Sequence, residues 1–273
     1  AVVALALFGV FVNLPGTSGM RRGHQYLLAI AALMAAAALS EYTQIVGPRD
    51  ADPWDFVRDV SGGLCALAVL ASFDRKLTGR SGFRWGLRVG AVLLLAANLS
   101  PVAVRAESYR RRAARMPALF NFDSQWELMF TKPNGAKLEI VPSPGGWTGM
   151  EDRLVGRMTF GPYRFPGVIF LEPSRDWSPY RYLALELYSE HDQAIDLVLR
   201  IDDMHCSDFV EDRFNKRMKL LPGKHSLRIP LAEIRSAPKK REFDLTAVRA
   251  MILFAVNPEK GTRLYIAEMT LEP

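Results

Sequence analysis

Four apolar stretches fill the first 104 residues, at 1–14, 26–40, 60–73 and 89–104, each bounded by charges or by Pro and Gly. Hydrocarbon in that density has two places to go, a protein core or a bilayer. Each run is shorter than the roughly 20 residues of an isolated spanning helix. With polar ends included, 54–73 and 84–104 reach that length and place Trp54 and Trp85 where interfacial aromatics belong. Four successive stretches with so few charges are hard to solvate in water, so they read as membrane helices, with a soluble helical bundle as the other reading. A signal peptide would explain the first run and none of the others. Because the chain opens at Ala1 inside an apolar run, its start is expected to lie upstream.

Composition becomes informative once it is divided. The 273 residues carry a net charge of +6. Residues 1–104 hold 9 Lys/Arg against 6 Asp/Glu, 105–115 hold 5 against 1, and 116–273 hold 21 against 22. A nucleic-acid binder needs a basic stripe on its folded domain, and here the largest polar segment is neutral. Orientation is not settled by charge, since four spans leave seven basic residues on each side. Cys65 and Cys206 lie far apart in two regions of different character, which excludes a disulfide framework and a Cys-based metal site. Nothing in the chain calls for a cofactor.

Three regions follow: a helical membrane part at 1–104, an Arg-rich juxtamembrane joint at 105–118, and a β-rich part at 119–273. The joint, expected to be helical over 105–116, reads either as a segment lying against anionic headgroups or as a solvated connector. Beyond it, β-type runs recur at 125–130, 137–141, 167–171, 182–188, 195–201, 226–229, 250–256 and 263–271. Pro-Asn-Gly at 133–135, Pro-Gly-Gly at 144–146 and Pro-Gly at 222–223 supply turns between them. The fold class expected is therefore a multi-span α-helical membrane bundle followed by an all-β antiparallel sandwich, or jelly roll.

The densest polar cluster of the membrane part lies in SEYTQIVGPRDADPWDFVRDVSGG. Glu41 and Gln44 share one helix face, Asp55, Asp59 and Gly62 share another, and Arg49 lies between them. Carboxylates at a membrane boundary are costly unless paired or hydrated. One reading is a structural clamp, with Arg49 neutralising Asp55 or Asp59 and Gly62 allowing close helix approach. The other is a pocket for a lipid-linked or headgroup substrate, with Glu41, Asp55 and Asp59 as the working groups of an enzyme or transporter-like protein. The order Glu-x-x-Gln, Pro-Arg, Asp-x-x-x-Asp-x-x-Gly resembles the signature of the VanZ-like membrane family over about residues 1–100. That resemblance implies a multi-span protein of the cell envelope, with these six residues at its motif positions.

In the β-rich part, DWSPYRYLALELYS, DLVLRIDDMHCSDFVEDRFN and LLPGKHSLRIPLAEI resemble the galactose-binding-like jelly rolls of carbohydrate-binding modules. The resemblance covers about residues 120–273 and implies sugar binding by stacked aromatics and hydrogen-bonded hydroxyls. Candidate contacts are Trp147, Trp177, Tyr180, Asp202, Asp203, His205 and Arg213. Trp177 and Tyr180 also suit core packing before a strand, whereas Trp147 follows Pro-Gly-Gly in a loop. The acidic run Asp202, Asp203, Asp208, Glu211 and Asp212 with His205 lacks the spacing of a calcium loop. It reads better as an inter-strand loop in which Arg213 pairs with an acid, and no metal is expected.

The reading is thus a bacterial-type inner-membrane protein whose sandwich, placed outside the cytoplasm, binds an envelope glycan or glycolipid without catalysis. The partners expected are the bilayer and a glycan, a glycolipid or an envelope protein docked on the sandwich, and no nucleic acid.

Overall fold

A computed structural model describes residues 2–13, 19–46, 53–77, 81–174, 176–207 and 209–273. It divides the chain into two units, Ala1–Ala106 and Glu107–Pro273. The Arg-rich joint is split between them.

The described part of each apolar stretch lies within a helix: α1 (Val2–Asn13), α2 (Arg22–Val46), α3 (Pro53–Phe73) and α4 (Ser81–Arg115). Among the described residues, α2, α3 and α4 hold three segments long and apolar enough to cross a membrane. Their surfaces suit that solvent, since Leu27, Leu39, Val92 and Leu93 are all more than 60% exposed, which water would penalise and lipid would not. Polar contacts inside the first unit are internal. Ser61 bonds Asn98 at 2.9 Å, and the Cys65 thiol bonds the Ala91 carbonyl at 3.3 Å. Pro101 lies within α4 and has no N–H for the carbonyl four residues back. The Ser100 hydroxyl supplies the missing bond, donating to Ala97 O at 2.9 Å.

The expected role of Gly62 moves by one residue. A methyl group at Gly62 would meet nothing within 4 Å, whereas at Gly63 it would fall 2.3 Å from the Leu33 side chain. Gly63 is therefore the residue that lets α2 and α3 approach, because it occupies the face of α3 turned to α2.

The second unit is a β-sandwich. Its strands are β1 (Ala118–Phe120), β2 (Thr131–Asn134), β3 (Ala136–Pro142), β4 (Leu154–Phe160), β5 (Gly167–Leu171), β6 (Tyr182–Ser189), β7 (Ile195–Asp203), β8 (Phe214–Leu220), β9 (Gly223–Pro230), β10 (Val248–Ala255) and β11 (Arg263–Glu272). A short helix, α5 (Leu231–Arg235), follows β9. One sheet runs β3-β4-β11-β6-β9 with β1 also on β11, and the other runs β2-β5-β10-β7-β8. The pairings between these strands are antiparallel. Alternation decides which side chains enter the core. In β6 the buried set is Leu183, Leu185 and Leu187; in β7 it is Ile195, Leu197, Leu199 and Ile201. These meet in one apolar cluster with Phe160, Phe170, Met251 and Ile266.

The run expected as a strand at 125–130 is instead a 3-10 helix, Gln125–Phe130. A period of three puts Glu127 and Phe130 on one side, and both are buried there. Glu127 accepts the N–H groups of Asn121 and Phe122 at 3.0 and 3.1 Å and Arg115 at 2.9 Å. A strand would turn that carboxylate away from its donors. Burial pushes the Glu127 pKa up, against the pull of those N–H bonds.

Candidate functional site

The outer face of the β2-β5-β10-β7-β8 sheet combines apolar and hydrogen-bonding groups. Outward positions follow from the buried ones by alternation. In β7 they are Asp196, Val198, Arg200 and Asp202, and in β10 they include Ile252 and Phe254. Strand register places Ile252 beside Arg200 and Phe254 beside Val198, with Ile169 of β5 on the other side of Ile252. Ile169, Ile252 and Phe254 are half-buried, so their faces remain partly open.

Aromatic surface continues from Phe254 onto the 161–166 turn. Phe165 meets Phe254 edge-on at 6.1 Å between ring centroids. Tyr163 is 63% and Phe165 48% exposed, an unusual cost for two aromatics in one short turn. The turn is held in place by backbone bonds, Ala255 N–H to Pro166 O at 3.0 Å and Asn257 N–H to Arg164 O at 2.8 Å. The turn that carries these aromatics is thus tied to the end of β10, with the Arg164 guanidinium 5.1 Å from the centre of the Phe165 ring.

Further along the same face, Arg200 meets Asp202 through two bonds, Nε to Oδ1 at 2.8 Å and Nη2 to Oδ2 at 2.7 Å. Arg249 approaches the same carboxylate at 3.5 Å. Asp202 is 2% exposed, while the Arg200 and Arg249 side chains are 23% and 46% exposed. The acid thus holds two guanidinium groups that are themselves partly exposed. Cys206 lies against the same acid at 3.7 Å, and burial and that negative charge raise its thiol pKa.

Part of the opposite outer face is covered. The loop joining β3 and β4 lies over it with Trp147, which stacks on Tyr188 at 5.4 Å and 18° and packs with Val155, Tyr265 and Ala267. Trp147 is 1% exposed, and Trp177 is 0% exposed with its indole N–H donating to Pro173 O at 2.9 Å. A ring without an open face has no surface to offer a sugar. Tyr180 packs against the main core from its margin.

Asp203 and the acidic run serve another purpose. Arg241 binds Asp203 with both terminal nitrogens and Asp212 through Nε, and Asp203 also accepts the N–H groups of His205 and Asp244. Arg241, from the stretch before β10, takes the role expected of Arg213, whose buried Nε makes no hydrogen bond among the described residues. The reason is reach: Arg241 crosses the loop, so one planar fork spans two carboxylates. The Ser207 N–H, with Arg241 beside it, holds the Asp212 pKa down at about 2. His205 is mostly exposed, 3.6 Å from Asp244. Asp208 lies outside the described residues.

In the membrane part, Asp55 pairs with Arg58 one turn along α3 at 3.1 Å, both side chains more than half exposed. Asp59 is exposed on the same helix. Arg49 and the side chains of Glu41 and Gln44 lie outside what is described.

Of the residues picked from sequence, Asp202 alone belongs to this sheet face, where it is itself buried against the two arginines. Phe254 and Arg200 were legible in principle, since each sits at an outward position of an alternating strand. Tyr163 and Phe165 were marked by standing inside FGPYRFPG, a turn with no core to fill.

No protein-family model matches the chain, so the VanZ-like resemblance of its first hundred residues gains no support. No curated protein matches it either. Solved structures do. An exo-beta-agarase aligns at TM-score 0.47 and 14% identity, over 57% of this chain and 24% of that one, so the match spans about a quarter of the agarase. A family 11 carbohydrate-binding module from Clostridium thermocellum, solved with a beta-1,3-1,4-mixed-linked tetrasaccharide, aligns at 0.41 and 14% over 57% and 94%. A non-crystalline cellulose specific module, CBM28, aligns at 0.40 and 14% over 58% and 93%.

Proposed function

We propose that the chain is a membrane-anchored glycan-binding protein, with helices α2 to α4 as anchor and the outer face of the β2-β5-β10-β7-β8 sheet as the binding surface. One observation carries this reading: the exposed Phe165 ring meets Phe254 edge-on, on the same sheet face as the Arg200–Asp202–Arg249 group. Pyranose rings are amphipathic, with C–H faces that stack on aromatics and hydroxyls that need donors and acceptors. The sheet offers both at once, on strands that do not have to reorganise. The mechanism is binding without bond-breaking, and the sandwich is placed on the outer side of the membrane.

A glycan array probed with the detergent-solubilised chain tests the proposal. Retention of at least one glycan that Phe254→Ala fails to retain supports it; an empty array counts against it. Placement is tested separately with Ser226→Cys, since Ser226 is exposed on β9. A membrane-impermeant thiol reagent should label it in intact cells, and labelling only after lysis would put the sandwich inside.

A further inference from the structure

Two boundary segments of the first unit meet around one carboxylate. The apolar span of α2 begins at Arg22, and that of α3 ends at Phe73. Arg22 Nε lies 3.5 Å from Asp74 Oδ2, and the Tyr26 hydroxyl donates to the same oxygen at 3.4 Å. The start of one span and the end of the next therefore share one level of the bilayer, where headgroups lie. Asp74 Oδ1 also accepts the Lys76 N–H at 2.9 Å, and Asp74 O accepts the Leu77 N–H at 3.2 Å. These bonds fold 74–77 into a turn beside the beginning of α2.

A cavity of about 670 Å³ opens there, and its lining includes Arg21, Arg22, His24, Leu27, Lys76 and Leu77. Such a volume lies within the roughly 300–1,000 Å³ of small-molecule sites. Arg21, His24 and Lys76 are exposed, and among the described residues none of the three is paired with an acid. Three permanent cations thus line the cavity with one carboxylate behind them. Lipid on one side weakens the screening that water gives, so these cations repel one another unless an anion joins them. The rest of the wall is apolar. Leu27 is 63% exposed, and Leu77 packs against the α2–α3 core around Tyr26 and Ala29.

We propose that this cavity binds an anionic phospholipid of the phosphatidylglycerol type, its phosphate against Arg21 and Lys76 and the first carbons of its acyl chains along Leu27. A free phosphate would use the cations and leave the leucines idle. A zwitterionic headgroup would bring its own ammonium against Arg21 and Lys76, which sets the selectivity. The proposal rests on the membrane reading of α2 to α4 and is independent of glycan binding.

The experiment places the full chain in nanodiscs of phosphatidylethanolamine and phosphatidylglycerol in equal parts. Native mass spectrometry after release reads the retained lipid, and calorimetry with glycerol 3-phosphate reads the soluble arm. The parent should retain phosphatidylglycerol in clear preference and show no saturable binding of glycerol 3-phosphate. Arg21→Gln and Lys76→Gln, which leave the Arg22, Tyr26 and Asp74 contacts untouched, should each lower that preference about fivefold, the effect of one basic residue near an anionic surface. Lys76→Arg should keep it. Arg75→Gln is the control, since Arg75 is exposed at the same boundary and outside the lining, and it should leave the preference within about twofold. Equal retention of the two lipids by the inserted parent would overturn the proposal alone. So would a loss in Arg75→Gln as large as in Lys76→Gln, or saturable binding of glycerol 3-phosphate as tight as that of the lipid. A chain that failed to insert would overturn the membrane reading and the proposal with it.

Discussion

Arg200 and Asp202, two residues apart on one strand, meet side by side in a two-bond fork on the outer face of the second sheet, at 2.8 and 2.7 Å. The carboxylate is 2% exposed, so it has little water to fall back on. Arg200→Ala should therefore destabilise the chain by about 1–3 kcal/mol, less than a fully buried pair because the arginine is partly solvated and Arg249 remains nearby. Adding Asp202→Asn to that variant should recover part of the loss, since it removes the stranded charge. Urea unfolding followed by tryptophan fluorescence, run as a double-mutant cycle, measures both steps.

Trp147 and Trp177 are expected to act on stability. Trp147 covers the outer face of the first sheet over Tyr188, and Trp177 fills the core while donating to Pro173 O. Trp177→Ala should cost about 3–5 kcal/mol, and Trp147→Ala somewhat less because a loop can settle into part of the gap. Thermal unfolding of each variant reads the loss. A Trp147→Ala variant as stable as the parent would show that the loop does not depend on its anchor.

Acid should weaken the loop between β7 and β8. The Asp212 pKa is lowered from 3.8 to about 2, by the Ser207 N–H and then by Arg241. A depressed carboxylate pKa contributes its stabilisation in full above the unfolded value and loses it as pH falls through the folded one. Asp212→Asn should therefore be less stable than the parent at pH 5 to 7, and the two should converge as pH drops from about 4 toward 2. Unfolding midpoints across that range test the sign; a gap that widened in acid would contradict it.

The four helices and seven of the strands were readable because their signals are local. Apolar length marks α1 to α4, and alternation between turns marks β3, β5, β6, β7, β9, β10 and β11. The 3-10 segment at 125–130 was not readable, because QWELMF has the composition of a strand and its geometry answers to Arg115 and to the N–H groups of 121 and 122. Sites fared worse for the same reason. Trp147 looked exposed because Pro-Gly-Gly precedes it, and only the folded loop shows Tyr188 beneath it. Arg241 sits in a run, KKRE, that resembles any solvated surface, yet it holds Asp203 and Asp212 together from 38 and 29 residues away.

The most direct test is the affinity of the full detergent-solubilised chain for the best array glycan, compared with Phe254→Ala and with an off-site control, Lys224→Ala on the first sheet. Loss of one aromatic face should lower affinity at least tenfold, about 1.4 kcal/mol, while the control binds as the parent does and all three remain folded at the assay temperature. Equal affinity in Phe254→Ala, or a loss shared with Lys224→Ala, would contradict the assignment of the second sheet as the glycan surface.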